Sequence, residues 1–409
     1  TGAPKGAMLS HRALLHTGRA ARNFVKLDET DVFLSFLPLC HVVERVGGYY
    51  LPIQIGAEIV MSQGPFALAA ELAGSGATVF ICVPRVYDLM RERAMEAVSQ
   101  LSPVRRAAAK LAVGVGRRRV AALEANRRTS PMLSAAYALA DRLVLRTIRR
   151  RLTGKSMRFV VSGGAPLHRD TGSFMASIGL TILEGYGLTE FPVISLNRPD
   201  DNRIGTVGTA LPGIEIRIAD DGEIEARGPS LMAGYHNKPE DTAAIIHDGW
   251  LKTGDVGILD SEGRLRITDR IKDIIVLSNG NNVAPQPIEA LLRRSPYISE
   301  AVIFGDGHMG LVALIVPNFE RLREQLHSLG LPESTDAGEL IAHPSVRKLF
   351  KQQIDAASVE LADYERVKDF RLLPRPFSIE TGELTPTMKA RRSIIAQRYA
   401  DALTAMKRR

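Results

Sequence analysis

Short apolar runs recur through the first half of the chain, and this feature constrains the fold most. The runs are VFLSFLPL (32–39), AEIVMS (57–62), ATVFICVP (77–84), MRFVVSGGAPL (157–167) and LTILEGYGLTE (180–190). Apolar runs of this length without polar alternation are typical of parallel strands that are buried on both faces. Helix-like or glycine-rich segments separate them, so the pattern predicts an α/β fold in which helices cover parallel or mixed sheets.

The hydrophobic period changes to two beyond Gly205. The segments IEIRIADDGEIEARG (214–228) and GILDSEGRLRITDR (257–270) each contain two alternating strands, joined at Asp221-Gly222 and at Glu262-Gly263. Alternation around a glycine-containing turn is typical of a β-hairpin. We therefore expect a small β-subdomain in this part of the chain.

The pattern changes once more beyond Asp269, to a helix near Pro287, two apolar strands (AVIFG and LVALIVP) and polar helices. A chain of 409 residues exceeds what one hydrophobic core usually organises. We predict a large N-terminal domain over 1–270, with a basic helical insert at about 91–155, and a small α+β C-terminal domain over 271–409.

Much of the net charge of +8 lies between Arg105 and Arg158. Few aromatic residues lie among these arginines, whereas single-stranded nucleic acids are bound by stacking on aromatic rings, so we expect no nucleic-acid partner. Within residues 131–152 an apolar stripe recurs at helical spacing, formed by Leu133, Tyr137, Ala140, Val144 and Ile148. It predicts either a surface helix packed on its own core or a basic amphipathic face on an anionic membrane.

Composition also bears on location. The chain has no uninterrupted apolar stretch of about eighteen residues, so no transmembrane helix is predicted. Cys40 and Cys82 lie far apart in apolar runs without metal-ligand spacing, and we interpret both as buried thiols in a reducing compartment. These features predict a cytoplasmic protein, and the basic helix adds peripheral membrane contact as an alternative.

Several loops have the composition of phosphate-binding sites. TGAPKG (1–6) offers backbone N–H groups and the Lys5 ammonium to phosphate oxygens. SGGAPL (162–167) and EGYGLTE (184–190) follow predicted strands, and open α/β sheets bind ligands at the carboxyl ends of strands. EGYGLTE also combines an aromatic ring, a hydroxyl and the Glu190 carboxylate, which suit adenine, phosphate and Mg²⁺. Each loop taken alone is more typical of an ordinary turn.

Taken in order, these loops resemble a known family. The ordered motifs are TGAPKG, SGGAPL, EGYGLTE, WLKTGD, DRIKDII, SNGNNVAPQPIE and LTPTMKARR. Together they closely resemble the motifs of the adenylate-forming (AMP-binding) superfamily, in its long-chain fatty-acid CoA ligase branch, from Thr1 to about Arg392. The resemblance implies an acid-thiol ligase that uses ATP, Mg²⁺ and CoA to convert a fatty acid to acyl-AMP and then to acyl-CoA.

The resemblance also implies a role for individual residues. The residues implied around the triphosphate and its metal are Thr1, Gly2, Lys5, Gly6, Thr189 and Glu190. Lys5 and its loop would bind the β- and γ-phosphates, Thr189 would contact the α-phosphate, and Glu190 would hold Mg²⁺. The residues implied around the adenine and the acyl group are His41, Gly163, Gly164, Ala165, Tyr186 and Gly187. Of these, Tyr186 would lie against the purine and His41 beside the acyl carboxylate.

Four further positions match motifs towards the C-terminus. Asp255, assisted by Arg270, would bind the ribose hydroxyls. Lys272 occupies the hinge position about which the smaller, mobile domain would swing between the two half-reactions. Lys389 would bridge the carboxylate and the α-phosphate during adenylation. The first step crowds negative charge, so Lys5, Lys389 and Mg²⁺ would act through preorganised electrostatics.

Two departures from the family pattern leave alternatives open. Family members carry a Ser/Thr/Gly-rich arm and much of the N-terminal domain ahead of the phosphate loop, whereas this sequence begins at Thr1, which leaves the activity of the chain open. A non-catalytic nucleotide- or lipid-binding remnant is therefore a second hypothesis. Asn281 stands where long-chain relatives often have Lys, near the CoA tunnel. A fatty acyl-AMP ligase that loads a carrier protein is a third hypothesis.

Overall fold

The computed structural model describes residues 5–125, 127–326, 332, 336–359, 361–385 and 390–407. Among these, the side chains of Lys272 and Lys407 are left undescribed. The chain separates into two compact units. The larger unit extends to Thr253 and includes Gly257–Ile267, and the smaller unit comprises Gly254–Val256 and Thr268–Arg409.

A seven-stranded sheet forms the centre of the larger unit, in the order β2-β1-β3-β4-β5-β6-β7. Its strands are β1 (Val32–Ser35), β2 (Glu58–Met61), β3 (Val79–Cys82), β4 (Phe159–Ser162), β5 (Ile182–Tyr186), β6 (Ser195–Leu196) and β7 (Thr209–Ala210). Strands β1 to β5 run parallel to one another, whereas β6 is antiparallel to β5 and β7 is antiparallel to β6. Each predicted apolar run contains one of β1 to β5, which confirms the α/β fold class.

The register of this sheet places three strand ends side by side. Cys82 at the end of β3 pairs with Ser162 at the end of β4, and Ser162 pairs with Glu184 in β5. The loops SGGAPL and EGYGLTE therefore leave neighbouring strands at the same edge of the sheet, as the sequence predicts.

A second sheet has the order β10-β11-β9-β8, and β12 also pairs with β11. Its strands are β8 (Glu215–Ile218), β9 (Glu223–Arg227), β10 (Ile246–His247), β11 (Trp250–Leu259) and β12 (Leu265–Arg270). The antiparallel pair β8 and β9 ends with Ile218 opposite Ile224, so the turn falls at the predicted Asp221-Gly222.

The larger unit also contains helices. They are His11–Val25, Leu51–Ile55, Leu68–Gly74, Pro84–Ser99, Pro103–Glu124, Pro131–Ala140, Arg146–Thr153, Arg169–Ser177 and Pro239–Ala243, with π-helical segments at Val43–Tyr50 and Asp141–Leu145. The first helix begins after Ser10, whose hydroxyl accepts a hydrogen bond from the Ala13 N–H, and ends at Lys26 in the left-handed region.

The basic helical insert packs on the larger unit. Leu145 is fully buried in one of its cores, and Tyr137, Val144 and Ile148 of the predicted stripe pack against that core. The stripe therefore faces the protein, as the first of the two interpretations predicts. The start of the insert, expected at about residue 91, falls inside the helix Pro84–Ser99.

The smaller unit has an α+β architecture. Its strands are β13 (Ile275–Val276), β14 (Asn282–Val283), β15 (Ile298–Phe304), β16 (Leu311–Pro317) and β17 (Val367–Leu372). Its described helices are Ile271–Asp273, Pro285–Leu292, Phe319–Arg323, Ala337–Ala342, Pro344–Ala357, Asp363–Glu365, Arg392–Arg398 and Ala400–Lys407. β16 is buried along its whole length and pairs with β15 and β17. Its alternate residues enter two different apolar cores, since Leu311 belongs to one and Val312 to the other.

The sequence predicts that both cysteines are buried and that no helix spans a membrane. Cys82 is buried as expected, but Cys40 is exposed, because it lies in the turn between β1 and the π-helical segment rather than in a strand. Within the described ranges, no helix is both long and apolar enough to cross a membrane.

Candidate active site

The loop after β4 lies next to His41. The Gly163 N–H donates to the Cys82 carbonyl oxygen at 3.1 Å, which fixes the start of this loop on the neighbouring strand. Gly164 adopts φ +80°, a conformation that favours glycine, and a Cβ on it would lie 4.0 Å from His41 Cε1. The structure therefore brings together His41 and Gly164, which the sequence places 123 positions apart.

A buried carboxyl group follows His41 in the chain. Glu44 has no exposed surface, and its Oε1 accepts a hydrogen bond of 2.6 Å from the Ser35 hydroxyl. Burial raises the pKa of Glu44 from 4.5 to about 7, although the bonds from Ser35 and from backbone N–H groups act in the opposite direction. Glu44 sits three residues after His41 at the start of the π-helical segment, and it was not predicted as a site residue from the sequence.

The loop after β5 presents Thr189 and Glu190 at the tip of a tight turn. The N–H of Leu188 donates to the Phe191 carbonyl at 2.9 Å, and the Phe191 N–H donates back to the Leu188 carbonyl at 3.2 Å. Gly187 is required at its position, because a Cβ there would lie 2.1 Å from the Pro192 carbonyl oxygen. The sequence predicted this cluster correctly as a strand-end loop.

Tyr186, in contrast, belongs to the core. It is the last residue of β5, is 7% exposed, and packs within the apolar cluster beneath the sheet. Most of its ring therefore contacts protein, and its contact with the purine stays a prediction.

One short segment joins the phosphate-loop region to Glu190. The described part of that loop starts at Lys5, and Ala7 forms an antiparallel bridge with Tyr235. The His236 N–H donates to the Gly6 carbonyl at 2.8 Å, and the Met8 N–H donates to the Gly234 carbonyl at 2.9 Å. The N–H of Met232 donates to the Glu190 carbonyl at 2.9 Å. We call residues 232–236 the bridging segment.

Side chains make the same connection. Lys5 Nζ lies 2.8 Å from Asp241 Oδ1 and 5.1 Å from the centre of the Tyr235 ring. The Tyr235 hydroxyl donates a hydrogen bond of 2.5 Å to Glu190 Oε1. Burial, together with the Glu190 carboxylate, raises the pKa of Tyr235 well above its usual value, so this hydroxyl keeps its proton. The Lys5 hydrogen bond lowers the pKa of Asp241.

Tyr235 and Asp241 were not predicted from the sequence. They lie in LMAGYHNKPEDT (231–242), which has only the glycine and proline of an ordinary loop. Lys5 and Asp241 are 236 positions apart, so no local spacing links them. Gly234 has φ +137°, a backbone conformation that favours glycine, but this conformation identifies no ligand.

In the smaller unit, Asp255 and Arg270, both predicted to act on the ribose, form an ion pair. Arg270 Nε donates to Asp255 Oδ1 at 2.7 Å, and Asp255 is only 4% exposed. The neighbouring Asp269 has its pKa raised to about 6 by burial. Lys272 lies in the short 3₁₀ helix Ile271–Asp273, and its side chain is outside the described part of the structure. Thr1, Gly2 and Lys389 lie outside the described residues.

The donor set around Glu190 fits a magnesium ion that arrives with a nucleotide. In the part of the chain that the structure describes, no group of three or more His, Cys, Asp or Glu residues could hold a metal. Mg²⁺ is usually bound by one or two carboxylates together with water and substrate phosphates. A half-buried carboxylate at the tip of a turn, with a neighbouring hydroxyl on Thr189, meets this requirement.

The family of the chain follows from its similarity to known proteins. Residues 1–236 match the family described as AMP-binding enzyme, and residues 272–408 match the AMP-binding enzyme C-terminal domain. The chain therefore belongs to the AMP-binding enzymes, the adenylate-forming superfamily. Within it, similarity to long-chain fatty-acid CoA ligases places the chain in the fatty acyl-CoA ligase branch.

Two of these relatives cover nearly the whole chain. The long-chain-fatty-acid–CoA ligase FadD15 of Mycobacterium tuberculosis is 36% identical over 99% of this chain and 67% of its own length. The peroxisomal long chain acyl-CoA synthetase 7 of Arabidopsis thaliana is 32% identical over 99% of this chain and 59% of its own length. The chain thus spans about three fifths to two thirds of the length of these relatives.

Solved structures agree on the fold. The ATP-bound MatB of Rhodopseudomonas palustris superimposes with a TM-score of 0.67 at 24% identity, covering 98% of this chain and 67% of that chain. The adenylation domain of a carboxylate reductase from Mycobacterium chelonae gives a TM-score of 0.74 at 22% identity, covering 99% and 58%. At these identities the likeness shows the fold alone.

Proposed function

We propose that the chain activates a long-chain fatty acid with ATP and transfers the acyl group to CoA, giving acyl-CoA, AMP and pyrophosphate. The observation that carries this proposal is the link from Lys5 through Tyr235 to Glu190, which lies in the loop that follows β5. The similarity to FadD15 supports the fatty acid and CoA as substrates.

The chemistry proceeds in two displacements. A fatty carboxylate oxygen attacks the α-phosphorus of ATP, and pyrophosphate leaves. The CoA thiolate then attacks the acyl carbon, and AMP leaves. The first step brings an anionic nucleophile to a polyanion, so its main requirement is fixed positive charge. Mg²⁺, held by Glu190, would supply part of that charge.

Residues of the larger unit would bind the reacting groups. Lys5 and the Gly6 backbone would bind the β- and γ-phosphates, and Thr189 would donate its hydroxyl to the α-phosphate. Glu190 would hold the metal. The Lys5 and Asp241 side chains are both 39% exposed, so a phosphate can replace Asp241 as the partner of Lys5 at little cost. His41 would lie beside the acyl carboxylate, next to Gly164.

Residues of the smaller unit would bind the ribose and supply further positive charge for the first step. The Asp255 carboxylate can accept hydrogen bonds from two ribose hydroxyls, and Arg270 holds it in place. Lys389 would bridge the carboxylate and the α-phosphate, and Lys272 would be the hinge. The domain division at residues 270 and 271 is part of this proposal.

The identity of the acyl-group acceptor is tested by incubating the protein with ATP, Mg²⁺ and a long-chain fatty acid. Either CoA or an acyl carrier protein is then added. We expect acyl-CoA and AMP in equal amounts, measured by mass spectrometry, and no acyl carrier protein product. Loading of the carrier alone would assign the chain to the acyl-AMP ligases instead. Binding of ATP and fatty acid without turnover would favour the non-catalytic hypothesis.

We also propose that the basic helical insert rests on an anionic membrane, in line with a fatty-acid substrate and a cytoplasmic location. Met132, Leu139 and Leu143 are 82%, 60% and 66% exposed, and their spacing is that of one helical face. The exposed Arg142 and Arg146 lie on the same stretch. Apolar side chains flanked by arginines suit a surface of anionic lipid heads over acyl chains.

Vesicle flotation tests this contact. Wild-type protein should float with vesicles that contain phosphatidylglycerol and much less with neutral phosphatidylcholine vesicles. The double variant Leu139→Ser and Leu143→Ser should lose most of this binding, whereas Ile258→Ser, an exposed apolar residue of β11, should keep it. Equal binding by the two variants would contradict a specific role for the insert.

A further inference from the structure

Tyr235 contacts both Lys5 and Glu190. Its hydroxyl hydrogen bonds to Glu190 Oε1 at 2.5 Å, and its ring lies under the Lys5 ammonium at 5.1 Å from the ring centre. Tyr235 is 9% exposed, and its hydroxyl contacts a carboxylate. A phenylalanine would have the same shape and area, so apolar packing alone does not explain the hydroxyl.

The backbone around Tyr235 is fixed from both sides. Its N–H donates to the Thr242 hydroxyl at 2.8 Å, and that hydroxyl donates in turn to the Lys238 carbonyl at 2.9 Å. The bridging segment also pairs with the chain at Gly6 and Met8. A side chain held this firmly can restrict the rotamers of the flexible carboxylate that it contacts.

We propose that Tyr235 is a positioning residue for metal–nucleotide binding: its hydroxyl orients the Glu190 carboxylate while its ring and Asp241 keep Lys5 beside it. This inference rests on the proposed function and deepens it. The Tyr235 hydroxyl donates to Oε1 of Glu190, and the other carboxylate oxygen, Oε2, would hold the metal. The ring and Asp241 keep Lys5 extended, so that the nucleotide meets a cation and a metal-binding acid already in place.

The inference predicts a defect in metal binding rather than in stability. Partners of metal ligands typically change metal affinity by about tenfold or more when removed. We expect Tyr235→Phe to weaken Mn²⁺ binding by about tenfold in the presence of a non-hydrolysable ATP analogue. Affinity for the analogue without metal should stay unchanged. Mn²⁺ binding is read by electron paramagnetic resonance of the free ion, which does not depend on turnover.

Steady-state kinetics separates positioning from a general structural effect. Tyr235→Phe should raise the Mg²⁺ concentration for half-maximal activity and leave kcat at saturating Mg²⁺ close to the wild-type value. The control is Tyr364→Phe, which removes a hydroxyl from an exposed tyrosine of the smaller unit and should change neither quantity. Loss of kcat at every Mg²⁺ concentration would overturn the inference, as would Mn²⁺ binding equal to wild type.

A double variant tests the route through Glu190. Glu190→Gln alone should weaken Mn²⁺ binding, and adding Tyr235→Phe should cause no further loss, because Tyr235 acts on the metal only through the Glu190 carboxylate. Additive losses would overturn the inference. Failure of the wild-type protein to bind Mn²⁺ with the analogue would instead count against the proposed function, so the two failures are distinguishable.

Discussion

Glu44 is the residue whose chemistry departs most from what its sequence position indicates. The segment LPLCHVVERVGG gives no sign that this acid is buried, since glutamate on a helix is usually exposed. In the fold its carboxyl group lies against Ser35 and against Gly48, where a Cβ would come within 2.2 Å of Oε1. Only the tertiary position of β1 beside the π-helical segment determines this burial.

The raised pKa of Glu44 makes stability depend on pH. The group is near its usual pKa of 4.5 when unfolded and about 7 when folded, so the folded state binds the proton more tightly. Its stabilising contribution is complete below pH 4.5 and is lost as the pH rises towards 7. We expect wild type to lose roughly 2 to 3 kcal/mol more unfolding free energy than Glu44→Gln between pH 5 and pH 8.

Urea unfolding of both proteins at the two pH values measures this difference. Glu58→Gln is the matched control, because Glu58 is exposed in β2 and should leave the pH dependence of wild type unchanged. If wild type and Glu44→Gln lost stability equally, Glu44 would ionise in the folded protein like an exposed acid, and the assigned burial would be wrong.

Other candidate site residues could be predicted from the sequence because they lie in ordered motifs. Asp255 and Arg270 are 15 positions apart in the sequence, and Arg270 Nε lies 2.7 Å from Asp255 Oδ1. Tyr186 shows the limit of that approach: the motif identifies the residue, but its burial depends on packing by strands β6 and β7 that local sequence does not specify.

At the scale of elements, the parallel strands were predictable and the π-helical segments were not. A strand buried on both faces must be apolar throughout, and the runs around β3 and β4 are so in the sequence. A π-helical turn has the same composition as an α-helical one. The helix expected near Pro287 begins at Pro285, a difference that is ordinary for helix ends.

The helix Pro103–Glu124 offers a matched pair of glycines. Gly116 touches the end of the helix Arg169–Ser177, because a Cβ on it would lie 2.2 Å from the Ser177 carbonyl oxygen. A Cβ on Gly114, two positions earlier, would meet no described atom within 4 Å beyond its own helix backbone. One glycine is therefore required by helix packing, and the other is not.

We expect Gly116→Ala to destabilise the protein by about 1 to 3 kcal/mol, because the two helices must move apart. Gly114→Ala should stabilise it by up to about 1 kcal/mol through helix propensity. Urea unfolding of the two variants checks both signs. The same sign for both variants would show that these helices do not pack as described.

At the scale of the whole molecule, the larger unit joins residues that no sequence window contains. Lys5 contacts Asp241 because the chain passes through all seven strands of the first sheet before it returns to the region of Lys5. The fold class was predictable because each element signals its type locally. The contacts of the bridging segment were not, because they depend on strand order and on the pairing of two loops.

Adenylation is the central claim, and fatty-acid-dependent exchange of labelled pyrophosphate into ATP measures it most directly. We predict exchange that requires a long-chain fatty acid and Mg²⁺. It should fall at least tenfold in Lys389→Ala and in Lys5→Ala, whose lysines neutralise phosphate charge, but not in Lys26→Ala, an exposed lysine whose ammonium lies 3.6 Å from the exposed Asp200 carboxylate. Absence of exchange from the folded wild-type protein, or exchange that survives both lysine variants, would contradict the account.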